Sequence, residues 1–122
     1  MWFFKRKKRI LIVEDDEVIR QITMRRMEKT NKFIPLEAAN VESAIAIIHS
    51  DKPDYLLLDI VLNGESGFDL LEMMRLRKVP NIPTLITSND QRIRNIEDSL
   101  GRGIIGYIVK PYNTKDIISK LN

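Results

Sequence analysis

Residues Ile10–Asp16 read ILIVEDD, four apolar residues followed directly by three acidic ones. A run of Ile, Leu and Val of this length is typical of a short strand that is buried on both faces, as the strands of parallel sheets are. Acidic residues that follow such a strand lie at its carboxyl end, where open α/β sheets bind their ligands. The run therefore predicts a parallel sheet with a polar site at one edge.

Short β-type runs alternate with segments of helical period along the rest of the chain. With a first strand at Arg9–Val13, the other strands are predicted at Ile34–Ala38, Tyr55–Leu58, Thr84–Thr87 and Tyr107–Val109. Apolar residues recur at helical spacing around them, at Val18, Ile19, Ile22 and Met27, at Val41, Ala44, Ile45 and Ile48, at Leu70, Leu71 and Met74, at Ile93, Ile96 and Leu100, and at Ile117, Ile118 and Leu121. Five strands and five helices are thus expected.

This alternation predicts an α/β fold with one five-stranded parallel sheet, because each strand returns to the next through a right-handed helical crossover. Pro35 lies inside the second strand, and a residue without an N–H group is tolerated there only at the edge of a sheet. The strand order 2-1-3-4-5 meets this condition. The expected architecture is therefore flavodoxin-like and doubly wound, with helices on both faces of the sheet.

The 122 residues correspond to one ordinary domain. We divide the chain into a basic leader at residues 1–8 and a folded domain at residues 9–122. It contains no cysteine, which excludes disulfides and thiolate metal sites and fits a cytoplasmic protein. The combined charge of the five consecutive basic residues Lys5–Arg9 exceeds the net charge of the chain, +3, so the rest of the chain is slightly acidic. We therefore expect no direct nucleic-acid binding by the domain.

The leader combines the aromatic run Trp2–Phe4 with the basic run Lys5–Arg9. Aromatic residues prefer the headgroup region of a bilayer and basic residues are attracted to anionic lipid, so residues 1–9 could form a weak membrane anchor. Such short basic termini are more often simply solvated, and we favour that interpretation. No apolar run in the chain approaches the length of a transmembrane helix.

Polar residues follow four of the predicted strands. The first strand ends in Glu14 and Asp15, the third in Asp59, the fourth in Thr87 and the fifth in Lys110. Three carboxylates at one edge repel one another unless a cation lies among them, and oxygen ligands suit Mg²⁺. A lysine and a hydroxyl beside them can donate hydrogen bonds to an oxyanion. The predicted site therefore suits a phosphoryl group.

These residues also carry a resemblance. Over about residues 8–122 the chain resembles a receiver domain of the two-component response regulators, because the following segments occur in the order and spacing of that family: Ile10–Asp16, Leu57–Asp59, Gly67 at the start of a helix, Thr87-Ser88 and Tyr107–Pro111. The resemblance implies that Asp59 is the phosphoacceptor. It also implies that Asp15 binds Mg²⁺ directly, that Glu14 holds the ion through water and that Val61 offers it a backbone carbonyl.

The same resemblance assigns the phosphoryl group its partners. Lys110 is expected to pair with one phosphoryl oxygen and Thr87 to donate a hydrogen bond to another. Tyr107 is expected to act as a switch side chain that turns when Thr87 moves. The dipeptide Lys110-Pro111 is similar to the family's lysine and cis-proline, so Pro111 is a candidate for a cis peptide bond.

In such a family the donor is a sensor histidine kinase or a phosphotransfer protein. Phosphorylation is expected to change an output face made by Arg92–Leu100, Tyr107–Val109 and Thr114–Leu121, which binds an output protein or domain. The domain is not expected to be an enzyme in the ordinary sense. It catalyses only its own phosphorylation and slow dephosphorylation.

One segment departs from the usual pattern of the family. After Asp59 the family commonly has a Met or Leu followed by proline, whereas this chain has the turn-forming dipeptide Asn63-Gly64. Val61 and Asn89 flank the path by which water would reach an acyl phosphate, and only Asn89 can orient that water. Slow dephosphorylation is therefore expected.

Three other classes of protein fit the sequence less well. An aspartyl phosphohydrolase needs a second acid two residues after its nucleophile, where this chain has Val61. A binding module that has lost phosphorylation is expected to lack Asp59, Lys110 or the acidic pair, and all of them are present. A flavodoxin-like cofactor carrier needs a phosphate loop after the first strand, where three acids would repel the phosphate.

Overall fold

The computed structural model describes residues 6–89 and 103–121 of the chain. Its strands are β1 (Lys8–Val13), β2 (Phe33–Ala38), β3 (Tyr55–Asp59), β4 (Val61–Leu62), β5 (Glu65–Ser66), β6 (Thr84–Ser88) and β7 (Ile104–Val109). Its helices are α1 (Glu17–Lys29), α2 (Val41–Asp51), α3 (Gly67–Leu76) and α4 (Thr114–Leu121). The helix predicted around Ile93, Ile96 and Leu100 lies outside the described residues.

Five parallel strands form one sheet in the order β2-β1-β3-β6-β7. This order confirms the doubly wound arrangement predicted from the alternation of strands and helices. Strand β2 is at the edge, paired with β1 alone, so the missing N–H group of Pro35 interrupts no ladder on its outer side. The carboxyl ends of β1 and β3 lie side by side at the centre of the sheet.

Alternate residues of the central strands point to opposite faces, and both faces are covered by helices. Leu11 and Val13 pack with α2 and α3, whereas Ile10 and Ile12 pack with α1 and α4. All four side chains are at most 1% exposed. Burial on both faces explains why β1 is a continuous apolar run rather than an alternating one.

Helix α1 departs from its predicted apolar face. Val18 and Ile22 are 68% and 44% exposed, and the buried side chains are Thr23 and Met27. Thr23 can be buried because its hydroxyl donates to the carbonyl of Ile19 at 2.8 Å, which satisfies its polar atom inside the helix. The apolar periodicity therefore predicted the burial of Met27 correctly but that of Val18 and Ile22 wrongly.

Four strands differ from the sequence-based bounds by one residue, and Lys8, which the sequence analysis assigned to the leader, is the first residue of β1. Two further elements differ by more. Strand β7 begins at Ile104, three residues before the predicted start. The earlier start was missed because Gly106 interrupts the run of β-type residues. The antiparallel pair β4–β5 was not predicted, because its two-residue strands are too short to show a period. None of the helices in residues 6–89 and 103–121 combines the length and apolar character that crossing a bilayer requires.

Candidate functional site

Three carboxylates converge at the carboxyl edge of the sheet. Glu14 and Asp15 follow β1, and Asp59 is the last residue of β3. One carboxylate oxygen from each lies within 4.8 Å of those from the other two. Glu14 and Asp59 are only 3% and 5% exposed, so their charges repel one another in a partly desolvated setting. The structure thus brings together the acidic residues that the sequence predicted.

Lys110 lies between two of these carboxylates. Its Nζ atom is 2.6 Å from Oδ2 of Asp59 and 2.6 Å from Oε1 of Glu14. The backbone N–H of Lys110 donates to the carbonyl of Ser88 at 2.8 Å, and the Lys110-Pro111 peptide bond is cis, as predicted. The lysine therefore reaches the site from the far side of β6 and offsets part of its negative charge.

The acidic cluster changes the proton affinity of its members. Burial, together with the neighbouring carboxylate of Asp59, raises the pKa of Glu14 to about 7, although Lys110 opposes this shift. Burial by itself lowers the pKa of Lys110, but its hydrogen bonds with Asp59 and Glu14 outweigh that effect and leave the pKa raised. Lys110 therefore remains a cation at neutral pH, whereas Glu14 titrates near it.

The β4–β5 hairpin closes one side of the site. Its turn residues Asn63 and Gly64 both have positive φ, +23° and +85°, as the tight turns of two-residue hairpins require. The N–H of Asn63 donates to Oδ2 of Asp15 at 2.9 Å, and the N–H of Val61 donates to Oδ1 of Asp59 at 3.1 Å. The turn predicted from Asn63-Gly64 therefore holds two of the three carboxylates.

Gly67, the first residue of α3, packs directly against the backbone that carries Asp59. A Cβ atom at this position would lie 2.2 Å from the carbonyl oxygen of Asp59 and 3.0 Å from Cα of Ile60. The N–H of Gly67 also donates to the carbonyl of Ile60 at 2.7 Å. The glycine thus permits a close approach that no side chain would allow.

Arg20 is a site neighbour that sequence reasoning missed. Its guanidinium donates to the backbone carbonyl of Glu14 at 2.8 Å and to the carboxylate of Glu37 on β2 at 3.0 Å. These two hydrogen bonds connect the loop after β1 with the edge strand β2. Asp16, which precedes α1, caps that helix through the N–H of Ile19 at 3.0 Å and is not part of the acidic cluster.

The predicted switch residues lie behind the cluster, on β6 and β7. Thr87 is the register partner of Asp59 and is 2% exposed. Its carbonyl accepts from the N–H of Ile60 at 3.1 Å, which links β6 to the residue after Asp59. Tyr107 is also buried and pairs in register with Ile86, the residue before Thr87. The two residues therefore lie one register position apart on neighbouring strands.

Val61 and Asn89 lie at the rim of the site. The side chain of Val61 is 66% exposed, and Asn89 is exposed as well. Asn89 and Lys110 line one end of a cavity of about 410 Å³ that extends between α1 and α4. Both residues are exposed, and their effect on the approach of water to Asp59 remains a prediction.

The donor set fits a magnesium ion. Three carboxylates supply hard oxygen ligands within 4.8 Å of one another. Carboxylate ligands of this kind favour Mg²⁺ over softer transition metals. The residues present are therefore compatible with the ion that the resemblance implies.

Comparison with known proteins agrees with this geometry. Residues 10–122 match the response regulator receiver domain. The phosphate regulon transcriptional regulatory protein PhoB of Escherichia coli (strain K12) is 30% identical over 119 residues, which cover 93% of this chain and 50% of PhoB. The chain thus spans about half the length of the curated relatives it matches.

Solved structures show the same fold. A response regulator receiver domain protein (CheY-like) from Methanospirillum hungatei has a TM-score of 0.80 and 31% identity, covering 95% of this chain and 91% of its own. The response regulator TrrA from Thermotoga maritima, solved in complex with Mg²⁺-BeF, has a TM-score of 0.78 and 25% identity, covering 93% and 96%. The family match, the shared fold and the cluster around Asp59 agree, and this chain belongs to the response regulator receiver domain family.

Proposed function

We propose that Asp59 is the phosphoacceptor of a two-component system and takes its phosphoryl group from a phosphohistidine on a sensor histidine kinase or phosphotransfer protein. The observation that carries this proposal is the position of Lys110, whose Nζ atom lies 2.6 Å from both Asp59 and Glu14. Lys110 thus places a positive charge beside the nucleophile. Such a charge offsets the negative charge on a phosphoryl group during its transfer.

In the proposed reaction a carboxylate oxygen of Asp59 attacks phosphorus. The new O–P bond forms while the P–N bond of phosphohistidine breaks, and the electron pair of that bond leaves with the imidazole. Lys110 exchanges its contact with Asp59 for a phosphoryl oxygen, and Thr87 donates a hydrogen bond from its hydroxyl to another. Mg²⁺ held by Glu14, Asp15 and Asp59 would neutralise further charge on the group in transfer.

The phosphodonor protein needs a surface beside Asp59 on which to dock. The cavity of about 410 Å³ next to Lys110 is lined by apolar side chains from both flanks, Ile19 and Ile22 on α1 and Pro111 and Tyr112 before α4. The partly exposed Ile22 offers apolar contact area at its mouth. We place the donor's docking helix in this groove, where its phosphohistidine can reach Asp59.

Phosphorylation is proposed to act on the output face through Thr87 and Tyr107. Movement of Thr87 toward the phosphoryl group frees space beside it, and Tyr107 on the neighbouring strand turns into that space. Hydrogen exchange with and without beryllofluoride should therefore change most within residues 87–112, outside the site itself. Changes restricted to Glu14–Asp16 and Asp59–Gly67 would contradict transmission through these two residues.

The proposed function is tested by incubation with acetyl phosphate and Mg²⁺ followed by intact mass measurement. We expect the native protein to gain the mass of one phosphoryl group and Asp59→Asn to gain none. The protein is not expected to turn over other substrates. Asp54→Asn is the matched control, because its carboxylate lies at the other end of the sheet and accepts from the N–H of Arg9, which an amide oxygen can also do. Equal labelling of Asp59→Asn and Asp54→Asn would overturn the assignment.

A further inference from the structure

Basic residues gather at the edge of the sheet opposite the acidic cluster. In a parallel sheet with helical crossovers, the amino ends of the strands and the carboxyl ends of the helices meet at one edge. Arg6, Lys7 and Lys8 enter β1 from this edge, and Lys29 and Lys32 flank the connection from α1 to β2. All five are exposed. The sheet therefore carries a cationic edge.

The cationic surface continues across the ends of α2 and α3. Lys52 directly follows α2 and lines one cavity together with the segment Arg6–Arg9. It also lines a second cavity with Arg77 and Lys78, which follow α3. We call the surface formed by Arg6–Lys8, Lys29, Lys32, Lys52, Arg77 and Lys78 the basic edge. Its residues are far apart in sequence but adjacent in the fold.

The acidic residues of the domain do not cancel this charge. Asp51 and Asp54 line the first of these cavities and Glu28 precedes Lys29, so the eight basic residues outnumber the acidic residues that lie beside them. The acidic cluster lies at the other end of β1, six residues or about 20 Å away. This separation exceeds the screening length of about 8 Å at physiological ionic strength. The net charge of +3 therefore does not show how unevenly charge is distributed between the two edges of the sheet.

Exposed apolar side chains accompany the basic edge. Leu76, beside Arg77, is 65% exposed, and Ile34 and Ile105 near the starts of β2 and β7 are 43% and 44% exposed. In the sequence, the aromatic run Trp2–Phe4 directly precedes Lys5 and Arg6. Basic residues interspersed with aromatic and aliphatic ones are typical of surfaces that lie in the headgroup region of a bilayer.

We propose that the basic edge docks the domain on a membrane surface rich in anionic phospholipid. The exposed apolar residues favour lipid over nucleic acid, since contacts with a phosphate backbone need charge and polar donors rather than aliphatic side chains. Docking at this edge points Asp59 and the groove beside it away from the lipid. The phosphoacceptor site therefore stays accessible to its donor.

The proposal is tested by co-sedimentation of the full chain with phosphatidylcholine vesicles that contain about 30% phosphatidylserine. We expect at least about tenfold stronger partitioning than onto pure phosphatidylcholine vesicles, and weaker partitioning as salt is raised. Trp2 is the only tryptophan of the chain, so its emission reports on the leader alone and should shift to the blue when anionic vesicles are added. Equal partitioning onto both vesicles would overturn the proposal.

Charge reversals locate the surface. Each Lys or Arg near anionic lipid strengthens binding about fivefold, so Lys52→Glu and Lys78→Glu, which each change the charge by two, should weaken partitioning about 25-fold. Val18→Glu is the control, because this residue is 68% exposed in the first turn of α1, at the opposite edge, and its added negative charge should change partitioning less than about twofold. Circular dichroism checks that each variant is folded.

Two outcomes contradict membrane docking by the basic edge. If Lys52→Glu and Lys78→Glu both partition onto anionic vesicles as strongly as the native protein, the folded part of the surface does not contact lipid. Tighter binding to a duplex DNA than to the anionic vesicles at the same salt concentration would assign the surface to nucleic acid instead.

Discussion

Lys110 and Asp59 are in direct contact, with Nζ of the lysine 2.6 Å from Oδ2 of the aspartate. The contact joins the carboxyl ends of two strands, β3 and β7, with β6 between them. Both side chains are largely buried, so the pair is held by a strong charge-assisted hydrogen bond rather than by a solvated ion pair. In the proposed reaction, Lys110 exchanges its contact with the carboxylate of Asp59 for one with the phosphoryl group, which would couple chemistry at β3 to the position of β7.

Asp15→Asn should weaken Mg²⁺ binding by about tenfold or more in a calorimetric titration, because the amide keeps an oxygen for the N–H of Asn63 but loses the ligand's negative charge. Asp16→Asn is the matched control. Asp16 caps α1, asparagine caps helices equally well, and affinity should stay within about twofold. Equal affinity in the native protein and Asp15→Asn would place the metal elsewhere.

The raised pKa of Glu14 predicts a pH dependence of stability in the presence of a chelator. Because the fold favours the protonated carboxyl, the contribution is fully present below the group's ordinary pKa of 4.5 and is lost as pH rises through about 7. The free energy of unfolding in urea should therefore fall between about pH 5 and pH 8. Glu14→Gln removes the titrating group and should flatten this decline. An unchanged slope in that variant would show that Glu14 is not the group responsible.

Val61→Asn should shorten the lifetime of the phosphorylated protein about fivefold, since an amide at this exposed position can orient water with one hydrogen bond of about 1 kcal/mol. The measurement is release of inorganic phosphate after rapid removal of the donor. Val18→Asn is the control, because Val18 is 68% exposed but lies on α1. Decay of Val61→Asn at the native rate would show that this position does not limit access of water.

Gly67→Ala should destabilise the domain by about 3 kcal/mol or more, because the added methyl group meets the backbone carbonyl of Asp59 at 2.2 Å and the backbone would have to shift. Gly64→Ala offers a comparison at the hairpin turn. A Cβ atom at Gly64 would meet no heavy atom within 4 Å, so only the cost of positive φ applies, about 1 kcal/mol. Urea unfolding measures both values, and a smaller loss for Gly67→Ala than for Gly64→Ala would contradict the close packing of Gly67 against Asp59.

The sequence was most informative where one residue's chemistry limits the backbone. Pro35 predicted the edge strand and Asn63-Gly64 predicted the turn, because both depend on local covalent geometry. Arg20 could not be predicted, since its bonds to Glu14 and Glu37 depend on how α1 lies across two strands. The exposure of Val18 was missed for the same reason. The pattern of a helix shows its apolar residues but not which of them the neighbouring elements cover.

The central claim is that Asp59 carries the phosphoryl group, and chemical trapping of the acyl phosphate tests it most directly. Borohydride reduces an aspartyl phosphate to homoserine, so treatment of the protein after incubation with acetyl phosphate and Mg²⁺ marks the residue that was phosphorylated. Peptide mass spectrometry should then show homoserine at position 59 and unmodified side chains at Glu14, Asp15 and Asp16. Homoserine at Asp15 or Asp16 with an intact Asp59 would contradict the account.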